Sequence, residues 1–126
     1  MTTPFPTQRR LAFYAALAAT SIATALLLFP LPVDPGRTVR GGDKWAHALL
    51  FAGLAACWAW AGWSPRRIMV AGVLFAGATE CLQQVLRTRR HGDVLDALAD
   101  IAGVSVVALA CAWRRRRRPA EESTAR

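Results

Sequence analysis

The sequence predicts an all-α membrane protein, with four transmembrane helices in one small bundle. Two observations carry this. The 126-residue chain is 54% hydrophobic and yet holds sixteen Lys plus Arg against eight acids. Those charges fall between apolar blocks. Leu11–Phe29, Ala48–Trp63, Ile68–Thr79 and Ile101–Trp113 contain no charged residue. A helix needs about 20 apolar residues to cross a ~30 Å hydrocarbon core. The first block has that length alone, and the second has it if it starts near Trp45. The third and fourth reach it only by taking in part of the polar stretch "ECLQQVLRTRRHGDVLDALAD", Glu80–Asp100. The length allows one domain.

Helix one is expected over about 11–29, after a cytoplasmic segment 1–10. Pro30–Pro32 stand where a signal peptide would have its small-residue cleavage site, so the span is read as retained. The loop "PLPVDPGRTVRGGD" is rich in turn residues. Asp43 is placed to cap helix two, about 44–63, with Trp45 near one interface and Trp58, Trp60 and Trp63 towards the other. Ser64-Pro65 opens a tight turn into helix three, about 65–86. Residues 88–92 link it to helix four, about 93–113, and 114–126 form a basic, loose cytoplasmic tail. Cys57, Cys81 and Cys111 lie in apolar runs without metal-ligand spacing and read as small buried hydrophobes.

The basic excess does not indicate nucleic acid. The arginines cluster at the ends of apolar blocks, as in "RRRRR" at 114–118, where membrane proteins keep their inside charges. With four spans, one side holds Arg9, Arg10, Arg66, Arg67, Arg114–Arg118 and Arg126. The other holds Arg37, Arg40, Lys44, Arg87, Arg89 and Arg90. Ten against six puts both termini in the cytoplasm.

Helical periodicity turns the polar stretch into two stripes. Glu80, Gln83, Gln84 and Arg87 fall within about 100° of one another, and Asp93, Asp96, Asp100 and Gly103 within about 80°. Lipid cannot hydrogen-bond such stripes, so each needs a protein or water neighbour. Counting from the 88–92 loop sets Glu80 and Asp100 at one depth, roughly 10 Å in. Gly77 and Gly103 would let helices three and four approach closely. Lys44 and His47, one turn apart on helix two, enter from the same side. The candidate ligand-binding cluster is Lys44, His47, Glu80, Gln83, Arg90, Asp93, Asp96 and Asp100. Intramembrane ionisable residues mark functional sites by default. The structural alternative is an ion-pair network that locks three helices together.

"DKWAHALLFAGLA" and "ECLQQVLRTRRHGDVLDALADIAG", over about residues 43–103, resemble the VanZ-like family of small bacterial membrane proteins. Lys44 and His47 match that family's Lys and His, Glu80 and Gln83 its Glu-x-x-Gln, and Arg89 or Arg90 its arginine, Arg90 being preferred. Asp96 and Gly103 match its Asp-x-x-x-Asn-x-x-Gly, with Asp100 in place of the Asn. The resemblance implies a multi-pass protein of the bacterial inner membrane, in a family named after a teicoplanin-resistance protein, with no established chemical activity.

Three functions are open at this stage. One is binding the head group of a lipid or cell-envelope precursor in a pocket open to the periplasm, linked to glycopeptide resistance. Another is a membrane-embedded enzyme acting on a lipid head group. There a divalent cation would sit on Glu80, Asp96 and Asp100, with His47 as acid or base. The third is an oligomeric transporter or scaffold. No cofactor is required by the first. The partners expected are the bilayer and a head group, and not nucleic acid.

Overall fold

The structure, a computed structural model, describes residues 6–29, 42–86 and 94–124, with side chains from Thr7 through Arg117 within them. These residues form four helices: α1 (Pro6–Leu28), α2 (Gly42–Trp60), α3 (Pro65–Val85) and α4 (Val94–Thr124). The expected all-α architecture is therefore present. Three helical stretches are long and apolar enough to cross a bilayer: Thr7–Leu28, Pro65–Val85 and Val94–Arg117. α2 is not among them, because its first turns carry Asp43, Lys44 and His47. It instead packs on all three other helices, most extensively on α4. A helix packed on three neighbours can turn its polar groups to protein while other side chains face outward.

The bundle is apolar outside as well as inside. Tyr14, Leu49, Leu74 and Leu109, one from each helix, are all at least 65% exposed. An exposed apolar surface on every helix is what a lipid-covered bundle presents. Hydroxyls on these helices turn inward to their own backbone. Thr20 Oγ1 donates to the Ala16 carbonyl, Thr24 Oγ1 to Thr20 and Ser105 Oγ to Ile101. That satisfies them without water.

Local chemistry sets the ends. α2 stops in a Schellman motif: Trp63 N–H donates to the Trp58 carbonyl (3.1 Å) and Gly62 N–H to Ala59 (3.0 Å). Gly62 has φ 93°, which a side chain would resist. Ser64 Oγ then accepts from Arg67 N–H (3.3 Å), and Pro65 takes the first helical position. Asp43 does not cap α2, which begins one residue earlier at Gly42. It lies in the first turn, where its charge still suits the helix dipole. α1 begins at Pro6 rather than Leu11, and α4 runs on to Thr124 in place of a loose tail. Arginine is a good helix former, and the Arg117 guanidinium stacks over the Trp113 ring at 3.9 Å. Cys57 and Cys111 are half-buried, but Cys81 is exposed on the outer surface.

The tightest helix pair differs from the expected one. A Cβ at Gly103 would collide with the Ala48 carbonyl oxygen and lie 3.1 Å from Ala52 N, so α4 meets α2 backbone to backbone. The small pair Ala48-x-x-x-Ala52 makes room for it. Gly77 packs against no described residue: it is exposed, and a Cβ there meets no described atom within 4 Å. Where α3 meets α4, the small residue is Gly72, whose Cβ would lie 2.7 Å from Val104 side-chain carbons.

A candidate polar site between helices α2 and α4

α2 and α4 run parallel, both starting at the same end of the bundle, and their first turns carry matching charges. Lys44 Nζ donates to Asp96 Oδ1 at 3.1 Å. One turn deeper, His47 Nδ1 lies 3.0 Å from Asp100 Oδ1. With Asp100 ionised the carboxylate only accepts, and Nδ1–H is then the donor. Below that pair lies the close approach at Ala48, Ala52 and Gly103. The backbones are brought together by small residues, and the polar pairs sit just above that contact.

The two pairs differ in environment. The side chains of Lys44 and Asp96 are 37% and 13% exposed, nearer the end of the bundle. Those of His47 and Asp100 are 7% and 1% exposed. The second oxygen of Asp100, Oδ2, is buried and accepts no hydrogen bond among the described residues. A buried carboxylate oxygen without a donor is costly, on the order of 1–3 kcal/mol and more when charged. Such a group calls for an explanation, such as an ion, water or ligand.

The other candidates divide. Glu80 is half-buried on α3. Gly72 facing Val104, and Ser105 Oγ 3.8 Å from Met69 Sδ, define the antiparallel register of α3 on α4. By that register Glu80 is level with Asp96, not with Asp100, which lies about one turn deeper. The equal-depth pair expected from the sequence is thus replaced by an outer tier of Lys44, Asp96 and Glu80 and an inner tier of His47 and Asp100. Gln83 is buried, and its Nε2 donates to the Leu27 carbonyl (2.8 Å), one of the unpaired carbonyls at the end of α1. Gln84 is exposed. Arg87, Arg89, Arg90, His91 and Asp93 lie outside the described residues. No three His, Cys, Asp or Glu among the described residues form a group able to hold a metal ion.

The structure adds residues that charge reasoning missed. Ala48, Ala52 and Gly72 set the helix approaches. Their sequence signal, small residues spaced by four, is present for the two alanines. Trp58 and Trp63 also pack inward. Their rings stack on each other with centroids 4.1 Å apart, and Trp58 Nε1 donates to Thr20 Oγ1. They line an apolar cavity of about 200 Å³ with Phe51 and Phe75, lying from mid-bundle towards the α2–α3 turn.

Compared with family models, curated proteins and solved structures, the chain matches none. The site offers a cation paired with a carboxylate near the end of the bundle, and beneath it an imidazole–carboxylate pair with one buried acceptor oxygen that no described residue fills.

Proposed function

We propose that the chain is a four-span, VanZ-like protein of the bacterial inner membrane, with both termini in the cytoplasm. Its polar end binds, from the periplasmic side, the head group of a lipid or cell-envelope precursor, with glycopeptide resistance as the cellular outcome. One observation carries the reading: a buried carboxylate oxygen on Asp100 with no donor among the described residues, beneath a mouth lined by Lys44 and Asp96. A structural lock would leave its acceptors filled. A head group has what this arrangement lacks. A hydroxyl or amine can donate to Asp100 Oδ2, while an anionic group meets the Lys44 ammonium. The apolar outer surface holds the rest of such a molecule in the bilayer.

Orientation and site are tested separately. Ser64→Cys, in a background where Cys57, Cys81 and Cys111 are replaced by Ala, is expected to resist membrane-impermeant maleimide in intact cells. Gly42→Cys in that background is expected to react. The reverse pattern would place the polar end inside. For the site, native mass spectra of the protein purified from its own membrane are expected to carry a polar-headed ligand. The paired variant Lys44→Met/Asp96→Leu is expected to lose it.

A further inference from the structure

We infer that the opposite end of the bundle holds a site for one anionic phospholipid, in the groove along the first turns of α3. This groove, about 510 Å³, is lined by Ser64, Arg66 and Arg67 at its head and by Val70 and Leu74 further along. Val70 is 53% and Leu74 68% exposed, and both arginines are exposed. From Arg66 to Leu74 is about 12 Å along the helix. The groove thus has a cationic head and an apolar run of the same polarity order as a phospholipid. Trp63 lines both this groove and the 200 Å³ apolar cavity, so an acyl chain lying on Leu74 also borders the bundle interior.

Charge selects the lipid. Arg115 Nη2 donates to the Trp63 carbonyl (3.3 Å), and the Arg9 guanidinium lies beside Gly62. Arginines from α1, α3 and α4 therefore converge on the α2–α3 turn. The acids with described side chains, Asp43, Glu80, Asp96 and Asp100, all belong to the other end of the bundle. Nothing described at this end neutralises the arginines, so a phosphodiester with net negative charge fits and a zwitterionic one fits less well. The paired forks of Arg66 and Arg67 suit phosphate oxygens. This site needs the bilayer but not the head-group site at the polar end, and the two stand or fall apart.

The test uses the full chain in neutral detergent, offered equimolar phosphatidylglycerol and phosphatidylcholine, with adducts read by native mass spectrometry. The wild type is expected to carry phosphatidylglycerol in preference. Arg66→Gln/Arg67→Gln is expected to lower that preference roughly thirtyfold, the order expected when two arginines leave an anionic surface. Arg66→Lys/Arg67→Lys should restore most of it. Arg114→Gln/Arg116→Gln, which removes the same charge away from the groove, should leave it intact. Equal adducts of both lipids on the wild type would overturn the site. So would equal losses in the two Gln pairs, which would mean diffuse attraction to the basic end. Displacement of phosphatidylglycerol by a short oligonucleotide would also overturn it, in favour of a nucleic-acid surface.

Discussion

Valine at position 103 is expected to break the α2–α4 pair, and with it the bundle. The groups that a Cβ would strike are the carbonyl of Ala48 and, at 3.1 Å, the amide nitrogen of Ala52. These are backbone atoms in a helix and cannot swing aside, so the helices must separate. Separation opens the core around Phe51, Ala55, Val104 and Ala108 and pulls on both polar pairs above it. Overpacking a core costs about 1–3 kcal/mol when side chains can adjust. Here they cannot, and the loss should lie at or above the top of that range. The control is Gly77→Val, where a Cβ meets no described atom within 4 Å. Unfolding in mixed micelles, followed by helicity, should show Gly103→Val collapsing at far lower denaturant than Gly77→Val. Equal midpoints would mean that α2 and α4 do not approach at Gly103.

The second large effect concerns His47 and Asp100. Removing His47 alone leaves a carboxylate buried with neither oxygen bonded among the described residues. Breaking a buried pair in this way costs about 3–5 kcal/mol. Asp100→Leu alone takes away the Asp100 partner of His47 Nδ1, at about 1–3 kcal/mol. Replacing both, as His47→Leu/Asp100→Leu, removes the desolvated charge together with its partner and should recover most of the stability. The double-mutant cycle is therefore expected to be strongly non-additive. Additive single losses would show that the two side chains do not depend on each other.

The helices were legible in the sequence because charge separates the apolar blocks, and because Ser64 and Pro65 punctuate them with known backbone preferences; the stop at Gly62 was not, since helix two was expected to run to Trp63 and α2 ends at Trp60. The polar end was legible for the same reason: Lys44, His47, Asp96 and Asp100 recur at helical spacing on helices that start together. The pairing was not. Counting from a loop assumes that two helices enter it symmetrically, and this put Glu80 opposite Asp100. The register actually follows from Gly72 against Val104, which moves Glu80 one turn towards the mouth. Gly77 looked like a packing residue because it shares a stripe with Glu80, but that stripe does not bury it. Gln83 reads as a ligand until α1 is placed. Its bond to the Leu27 carbonyl depends on a contact 56 residues away, which no local pattern encodes. That α2 packs mainly on α4 rests on alanines, and alanines are too common in this chain to single out two.

The central claim is that the polar end is a binding site rather than a lock. The variant Lys44→Met/Asp96→Leu tests it most directly, because it removes a partly exposed pair without leaving an unpaired charge between the two. Replacing both partners of a largely buried ion pair by apolar residues of similar volume is often close to neutral in stability. The variant's denaturation midpoint is expected to stay close to the wild type, and the co-purifying head-group ligand to disappear from the native mass spectrum. A variant that loses stability sharply, from a wild type that carries no ligand, would contradict the claim.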